Sequence, residues 1–479
     1  MIASLTRIVN RPKLRRLIDA YGAWAVIALA AVLRLWQLGY PAKLVFDETY
    51  YVKDAWTLWN TGSEKAWPAD ANAAFEAGSV NGFLPDASFV VHPPLGKWLI
   101  GFGMWLFGAE NSFSWRIMVA ALGILAVALA MLIARMLFKS RSWALVVGFL
   151  FAIDGHAIVL ARTALLDNIL MFFALLAFYF LLRDQQRRDI YRVTWNRKWL
   201  ALSGLALGAA MAVKWSGIYF ALVFGLYVVI SEILARRASE QPNWIKNSIS
   251  QSGITFLLMA PIAAATYMAS WLGWILTSTG YDRNSEANWL SSLIRYHQDA
   301  YAFHIGLRTP HSYASNPLSW LWELRPTSFF YEGLSLGQDG CNDASGCSSA
   351  ITALGNPIIW WPAATALFFV LVWYLRTRER EAGLIMLGLA AGYLPWLMYM
   401  NRTVFQFYSI AFLPWMILAL VFVIRNFVSR SSRPETARGW LLIYLLLAFA
   451  ATVFFLPIWN GSWLPYDLWR WRMWLPSWI

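Results

Sequence analysis

In the stretch LVFDETYYVKDAW, two carboxylates, Asp47 and Glu48, stand side by side a few residues after an apolar run. A positioned carboxylate can act as general base on a hydroxyl. Two adjacent acids can also raise one another's pKa, which favours that role. Read blandly, the pair is a solvated acidic start to a helix that continues through TYYVKDAWTLW.

Three other groups bear on the choice. VVHPPLGKW contains His92, two prolines and Lys97. Adjacent prolines fix the chain and expose a helix start, whose free N–H groups suit phosphate; a plain turn before an interfacial helix is the bland alternative. Arg34, Arg116, Arg162 and Arg402 lie at the ends of apolar runs that share one side of the membrane. A charge in a span is costly and marks function by default, although long side chains can snorkel. Together the four suggest an anion site. Asp167, in ALLDNILMFF, is either part of that site or a salt-bridge partner of Arg162, and Asp154 in FAIDGH poses the same question.

These residues fit one chemistry. Arginines and Lys97 can hold a phosphate whose lipid tail lies between spans, while a carboxylate acts on a hydroxyl. In glycosyl transfer from a lipid phosphate the leaving group stays anionic, so cations suffice on that side and one general base serves on the other. A second carboxylate can stabilise an oxocarbenium-like transition state.

The elements that must position these groups follow from composition. The chain has 479 residues, 59% hydrophobic and 14% charged, with 30 tryptophans. Soluble domains carry about 25% charged residues, so the chain belongs to the membrane class, where tryptophan and tyrosine gather at interfaces. Apolar windows predict about eleven spans, at 23–39, 115–138, 142–160, 165–182, 199–213, 216–234, 254–275, 357–375, 382–400, 404–424 and 439–457. The short fifth window leaves open whether KWSG, Lys214–Gly217, is a loop or a kink. The basic N-terminus is followed by a retained first span, with no small-residue cleavage site.

With residues 1–22 cytoplasmic, more than half of the 39 lysines and arginines fall in the inner loops. The net charge of +13 is thus topological, and nucleic acid is excluded as a partner. Residues 23–275 form a core that includes the outer loop 40–114. A large outer loop follows at 276–356, then spans over 357–457 and an outer aromatic interfacial tail at 458–479. Leu95–Gly108 is too short to span and reads as an interfacial helix. Cys341 and Cys347, in the large loop, are open to a short disulfide or to two free thiols.

The motifs FDETYY, HPPLGK, SWRIMVAALG, ARTALLDNILMFF, HSYASNPLSWLWELRP and RTVFQFY occur in an order that resembles the protein O-mannosyltransferases. These are membrane glycosyltransferases of the GT-C type, and the likeness is to their bacterial, particularly actinobacterial, branch. The resemblance implies an all-α polytopic fold and inverting transfer of mannose from polyprenyl-phosphate-mannose to Ser or Thr of exported proteins. The site would be extracytoplasmic, in the cell membrane, with the export machinery as a further partner. By the same motifs Asp47 would be the base and Glu48 its acidic partner. Arg34, His92, Lys97, Arg116, Arg162, Asp167 and Arg402 would bind donor or substrate, Arg402 holding the lipid phosphate.

Two departures stand out. Loop 276–356 is too short for the β-trefoil of eukaryotic members, and Glu323 follows tryptophan in WLWELRP where proline is expected. Asp47, Glu48 and His92 are types that can hold Mg²⁺ or Mn²⁺. No DxD pair occurs in the first loop and the arginines supply positive charge, so no metal and no cofactor is expected. The rival readings are a related GT-C enzyme using another sugar or acceptor, and a transporter of polyprenyl-linked sugars.

Overall fold

Long apolar stretches in hydrocarbon must satisfy their backbone internally, which leaves the helix as the spanning form here. The computed structural model describes residues 12–240 and 242–479. Part of the cytoplasmic segment assigned to 1–22 therefore lies outside the described residues. The long helices are α1 (Pro12–Leu35), α2 (Glu48–Thr61), α3 (Leu95–Phe107), α4 (Ser112–Phe138), α5 (Arg141–Ile153), α6 (Gly155–Arg162), α7 (Leu166–Arg187) and α8 (Lys198–Val213). They continue as α9 (Gly217–Ala238), α10 (Trp244–Ser270), α11 (Trp289–Gly306), α12 (Pro357–Thr377), α13 (Arg380–Gly392), α14 (Leu413–Arg430) and α15 (Pro434–Phe455).

Among the described residues nine helices are long and apolar enough to cross a membrane, or ten when α5 and α6, bent by 59° at their junction, count as one span. The predicted segment 199–213 is α8, an apolar helix of 16 residues. At 1.5 Å per residue it covers about 24 Å, less than the hydrocarbon core. KWSG is a turn that separates α8 from α9. The predicted span 382–400 corresponds to Arg380–Tyr399, one of the nine, and the predicted span 404–424 is realised as Leu413–Arg430. After Gly392 the chain runs as a 3-10 segment, Leu394–Tyr399, then as another, Gln406–Ala411, before α14. Pro395 and Pro414 cannot donate to a continuing helix ladder, so the interruption follows from sequence.

Both long loops lie on one face. To the helices the large loop and the tail add a three-stranded antiparallel sheet that the sequence reading lacked. It is ordered β1 (Ser328–Leu334), β2 (Cys347–Thr352), β3 (Leu464–Pro465). The Cys341–Cys347 disulfide closes the turn between β1 and β2. Strand β3 comes from the tail, which is folded onto the loop instead of lying wholly as an interfacial anchor. Trp459 and Trp478 are buried, and the Trp478 indole donates to the Glu323 carbonyl at 2.7 Å. Trp471, by contrast, remains 67% exposed. The loops interlock where Phe46 stacks on Phe329 at 5.0 Å and meets Phe405 and Phe407 edge-on.

Candidate active site

Asp47 is the N-cap residue of α2 and Glu48 its first residue. Successive helical positions point about 100° apart, so the two acids meet different surroundings. Glu48 is fully buried. Its oxygens accept from Arg116 Nε at 2.8 Å, Arg116 Nη2 at 2.7 Å, the Ala164 amide at 2.7 Å and the Val45 amide at 3.0 Å. The other Arg116 donors bond the carbonyls of Leu38, Pro41 and Lys43. A guanidinium has five N–H groups, and here all have protein acceptors. The sequence reading did not foresee this pairing. Glu48 and Arg116 form a buried clamp between the loop and α4, because each neutralises the other away from water.

Asp47 differs in every respect. It is partly exposed and, among the described residues, forms no salt bridge. Burial pushes its carboxyl up to about 6, with Asp167 adding to the rise while Lys214 and a hydrogen bond from Tyr51 oppose it. A carboxylate poised near neutral pH, with lone pairs free, is what a general base requires.

Two more of the expected anion ligands are committed elsewhere. Arg162 donates to the carbonyls of Leu33, Arg34, Trp36 and Gln37, capping α1. Arg34 reaches the carbonyls of Phe151 and Ala152 at the end of α5, at 3.3 and 3.0 Å. Both satisfy helix C-termini, whose last carbonyls otherwise lack donors. Lys97 is buried against Glu64 at 2.5 Å and donates to the His92 carbonyl at 3.1 Å, inside the loop core. There Asp54 is pushed up to about 7 by burial, against the pull of Lys97.

Arg402 and His92 do face an open space. A cavity of about 470 Å³ is lined by His92, Lys214, Trp215, His304, Arg402 and Tyr408 among others. Lys214 bonds both oxygens of Asp167, at 2.8 and 2.9 Å, and lies 4.7 Å from the Tyr408 ring centre. Asp167 is therefore paired with Lys214, not with Arg162. His304 Nε2 bonds the Val91 carbonyl at 2.8 Å, so that nitrogen carries the proton. Its Nδ1 accepts from Arg402 Nη2 at 3.1 Å. Burial lowers His304 to about 4 and His92 well below its ordinary value. Both rings are neutral at pH 7, which leaves Lys214 and Arg402 as the cations of this wall. Arg402 Nε and His92 Nδ1 are buried without partners.

Lys214, Tyr408, His304 and Trp215 were not selected from sequence. Lys214 had a signal: a charge between two apolar runs, the same criterion that singled out the arginines. The metal-ligand types do not gather, since among the described residues no group of three His, Cys, Asp or Glu side chains could hold an ion.

Comparisons with known proteins give the family and the fold. Residues 108–275 match the family model described as dolichyl-phosphate-mannose-protein mannosyltransferase. Residues 289–478 match that for the C-terminal four-helix membrane region of protein-O-mannosyltransferase. A polyprenol-phosphate-mannose–protein mannosyltransferase of Mycolicibacterium smegmatis is 31% identical, over 96% of this chain and 94% of its own. The protein of the same name from Mycobacterium tuberculosis is 30% identical, over 96% and 93%. In fold, the chain is similar to the Saccharomyces cerevisiae Pmt1-Pmt2 complex bound to the sugar donor, with TM-score 0.76 and 16% identity over 100% of this chain and 94% of that one. ArnT from Cupriavidus metallidurans bound to undecaprenyl phosphate is more distant, with TM-score 0.56 and 14% identity over 90% and 70%.

Proposed function

The chain belongs to the dolichyl-phosphate-mannose-protein mannosyltransferase family, and on that premise we propose that it transfers mannose from a polyprenyl-phosphate-mannose to Ser or Thr hydroxyls of polypeptides. Asp47 takes the hydroxyl proton as the acceptor oxygen attacks the anomeric carbon. The bond from that carbon to the phosphate oxygen breaks, and the polyprenyl phosphate leaves carrying the electron pair. Attack opposite the leaving group inverts the anomeric centre. Lys214 and Arg402 hold the departing phosphate, so the positive charge comes from side chains and the reaction needs no metal. The prenyl tail leaves along the apolar cavity mouth, where Ile218 and Ile305 are half-exposed. Glu48 and Arg116 act at one remove, by fixing the backbone that presents Asp47.

The carrying observation is the contrast between the adjacent acids: one saturated and buried, the other partly exposed, raised towards neutrality by burial against the opposing charge of Lys214. The reaction lies on the extracytoplasmic side of the cell membrane, and exported chains delivered by the export machinery are its acceptors. Two features support that side. Basic residues concentrate in the opposite loops, and the Cys341–Cys347 disulfide belongs to an oxidising compartment.

The test is transfer by the purified protein to a Ser/Thr-rich peptide from polyprenyl-phosphate-mannose. Asp47→Asn is expected to lower the rate by about 10²–10⁴-fold while donor binding is retained. A chelator is expected to leave the wild-type rate unchanged. Full transfer by Asp47→Asn rejects the role of Asp47, and loss with the chelator rejects the metal-free reading.

A further inference from the structure

Strand β1 has β2 on one side and no strand on the other. It starts beside the proposed base, because Phe329 stacks on Phe46, the residue before Asp47. Among the described residues no backbone hydrogen bond reaches the outer edge of Ser328–Leu334 from another segment. Tyr331 is 49% exposed. Lys43 bonds Glu332 of the strand at 3.1 Å and lies over Phe330. That pair is exposed on both sides (52% and 38%), and exposed ion pairs are weak. Free edges normally carry devices that stop pairing with another chain; here these are the exposed Lys43–Glu332 pair and a register shift between Ser328 and Phe330, which leaves Phe330–Leu334 in regular register with an unpaired outer edge.

We propose that the open edge of β1 takes the acceptor polypeptide as an added strand, which carries a Ser or Thr hydroxyl to Asp47. The inference rests on the proposed transfer reaction and names how its acceptor is held. Main-chain pairing is available to any extended sequence. It therefore suits an enzyme whose proposed acceptors are defined only by a Ser or Thr hydroxyl on a polypeptide, and whose large loop, residues 276–356, contributes strands of one small sheet and no added domain to select them. An added strand lies about 4.8 Å from its neighbour, so a residue paired near Ser328 sits close to the Phe46–Asp47 turn. Alternate residues face the same way, so only one phase of the acceptor's amides meets the edge.

Two versions of one Ser-containing acceptor peptide test this with the full-length protein. One is N-methylated at the residues immediately before and after the acceptor Ser, the other at the residues two positions away on each side. Each keeps the Ser and its own amide. Strand pairing is expected to raise KM about tenfold or more for one version and to leave the other within about twofold of the unmodified peptide. Equal KM for the two versions, raised or not, overturns the added strand while leaving the transfer reaction intact. Failure of the unmodified peptide to accept mannose overturns both readings.

Discussion

Asp47 and Glu48 are adjacent and chemically alike, and substitution should separate them cleanly. Glu48→Gln leaves Arg116 with a buried, uncompensated charge, a change that costs about 3–5 kcal/mol. Thermal unfolding in detergent is expected to move down accordingly. Asp47→Asn is expected to keep or slightly raise the unfolding temperature at neutral pH. Its folded pKa of about 6 lies above the carboxyl's ordinary value, so the ionised form disfavours the folded state, and the amide removes that cost. A lower unfolding temperature for Asp47→Asn than for Glu48→Gln contradicts the assignment of roles. The electrostatics make a second prediction. The base works as carboxylate, so kcat/KM rises with pH through about 6 and is level above it. Asp167 pushes the Asp47 pKa up and Lys214 holds it down. Asp167→Asn is therefore expected to move the rising limb to lower pH, and Lys214→Met to higher pH. Shifts of the same sign in both variants are incompatible with Asp47 as the titrating base.

At the scale of elements, the site depends on a short helix held tightly. Helix α8 ends at Val213 and hands the chain to Lys214. On its packed side it carries Gly204 and Gly208, the small-residue spacing that lets membrane helices approach closely. A Cβ at Gly204 would lie 2.8 Å from the Met259 carbonyl of α10, and one at Gly208 would strike the Ala263 carbonyl. Gly208→Leu is expected to destabilise the protein by about 1–3 kcal/mol or more and to lower transfer through displacement of Lys214. Leu205→Ala, on the exposed side, should change stability by no more than about 0.5 kcal/mol; equal effects of the two argue against the close packing. This element also shows what the sequence could convey. Apolar windows located nearly every helix, because hydrocarbon enforces them. The packing partner of Asp167 was not legible, since the pairing with Lys214 joins residues 47 apart in sequence. The same holds for Arg34, Arg116 and Arg162: a sequence reveals a charge in a span, but not whether helix-end carbonyls or a glutamate already bind it. Sheet β1–β2–β3 was hidden for a related reason, as its third strand has only two residues and comes from the tail.

For the whole molecule, the proposed chemistry requires that both long loops and the cavity open on the side where polypeptides arrive. The structure ties these parts into one face: Phe46 of the first loop meets Phe329 of the second, and Thr403, next to Arg402, donates to the Leu307 carbonyl at 3.1 Å. Orientation is thus a single binary choice for the entire site. It can be read with two single-cysteine variants, because both native cysteines are held in the disulfide and give no background. Ser285 is exposed in the large loop, and Asn196 is exposed in the turn before α8 on the opposite side. A membrane-impermeant maleimide applied to intact cells is expected to label Ser285→Cys and to spare Asn196→Cys until the cells are opened. The reverse pattern would put Asp47, Lys214 and Arg402 in the cytoplasm. Exported chains, the disulfide and the basic loops would then all be on the wrong side, and the acceptor class would have to be replaced even if mannose transfer itself were measured.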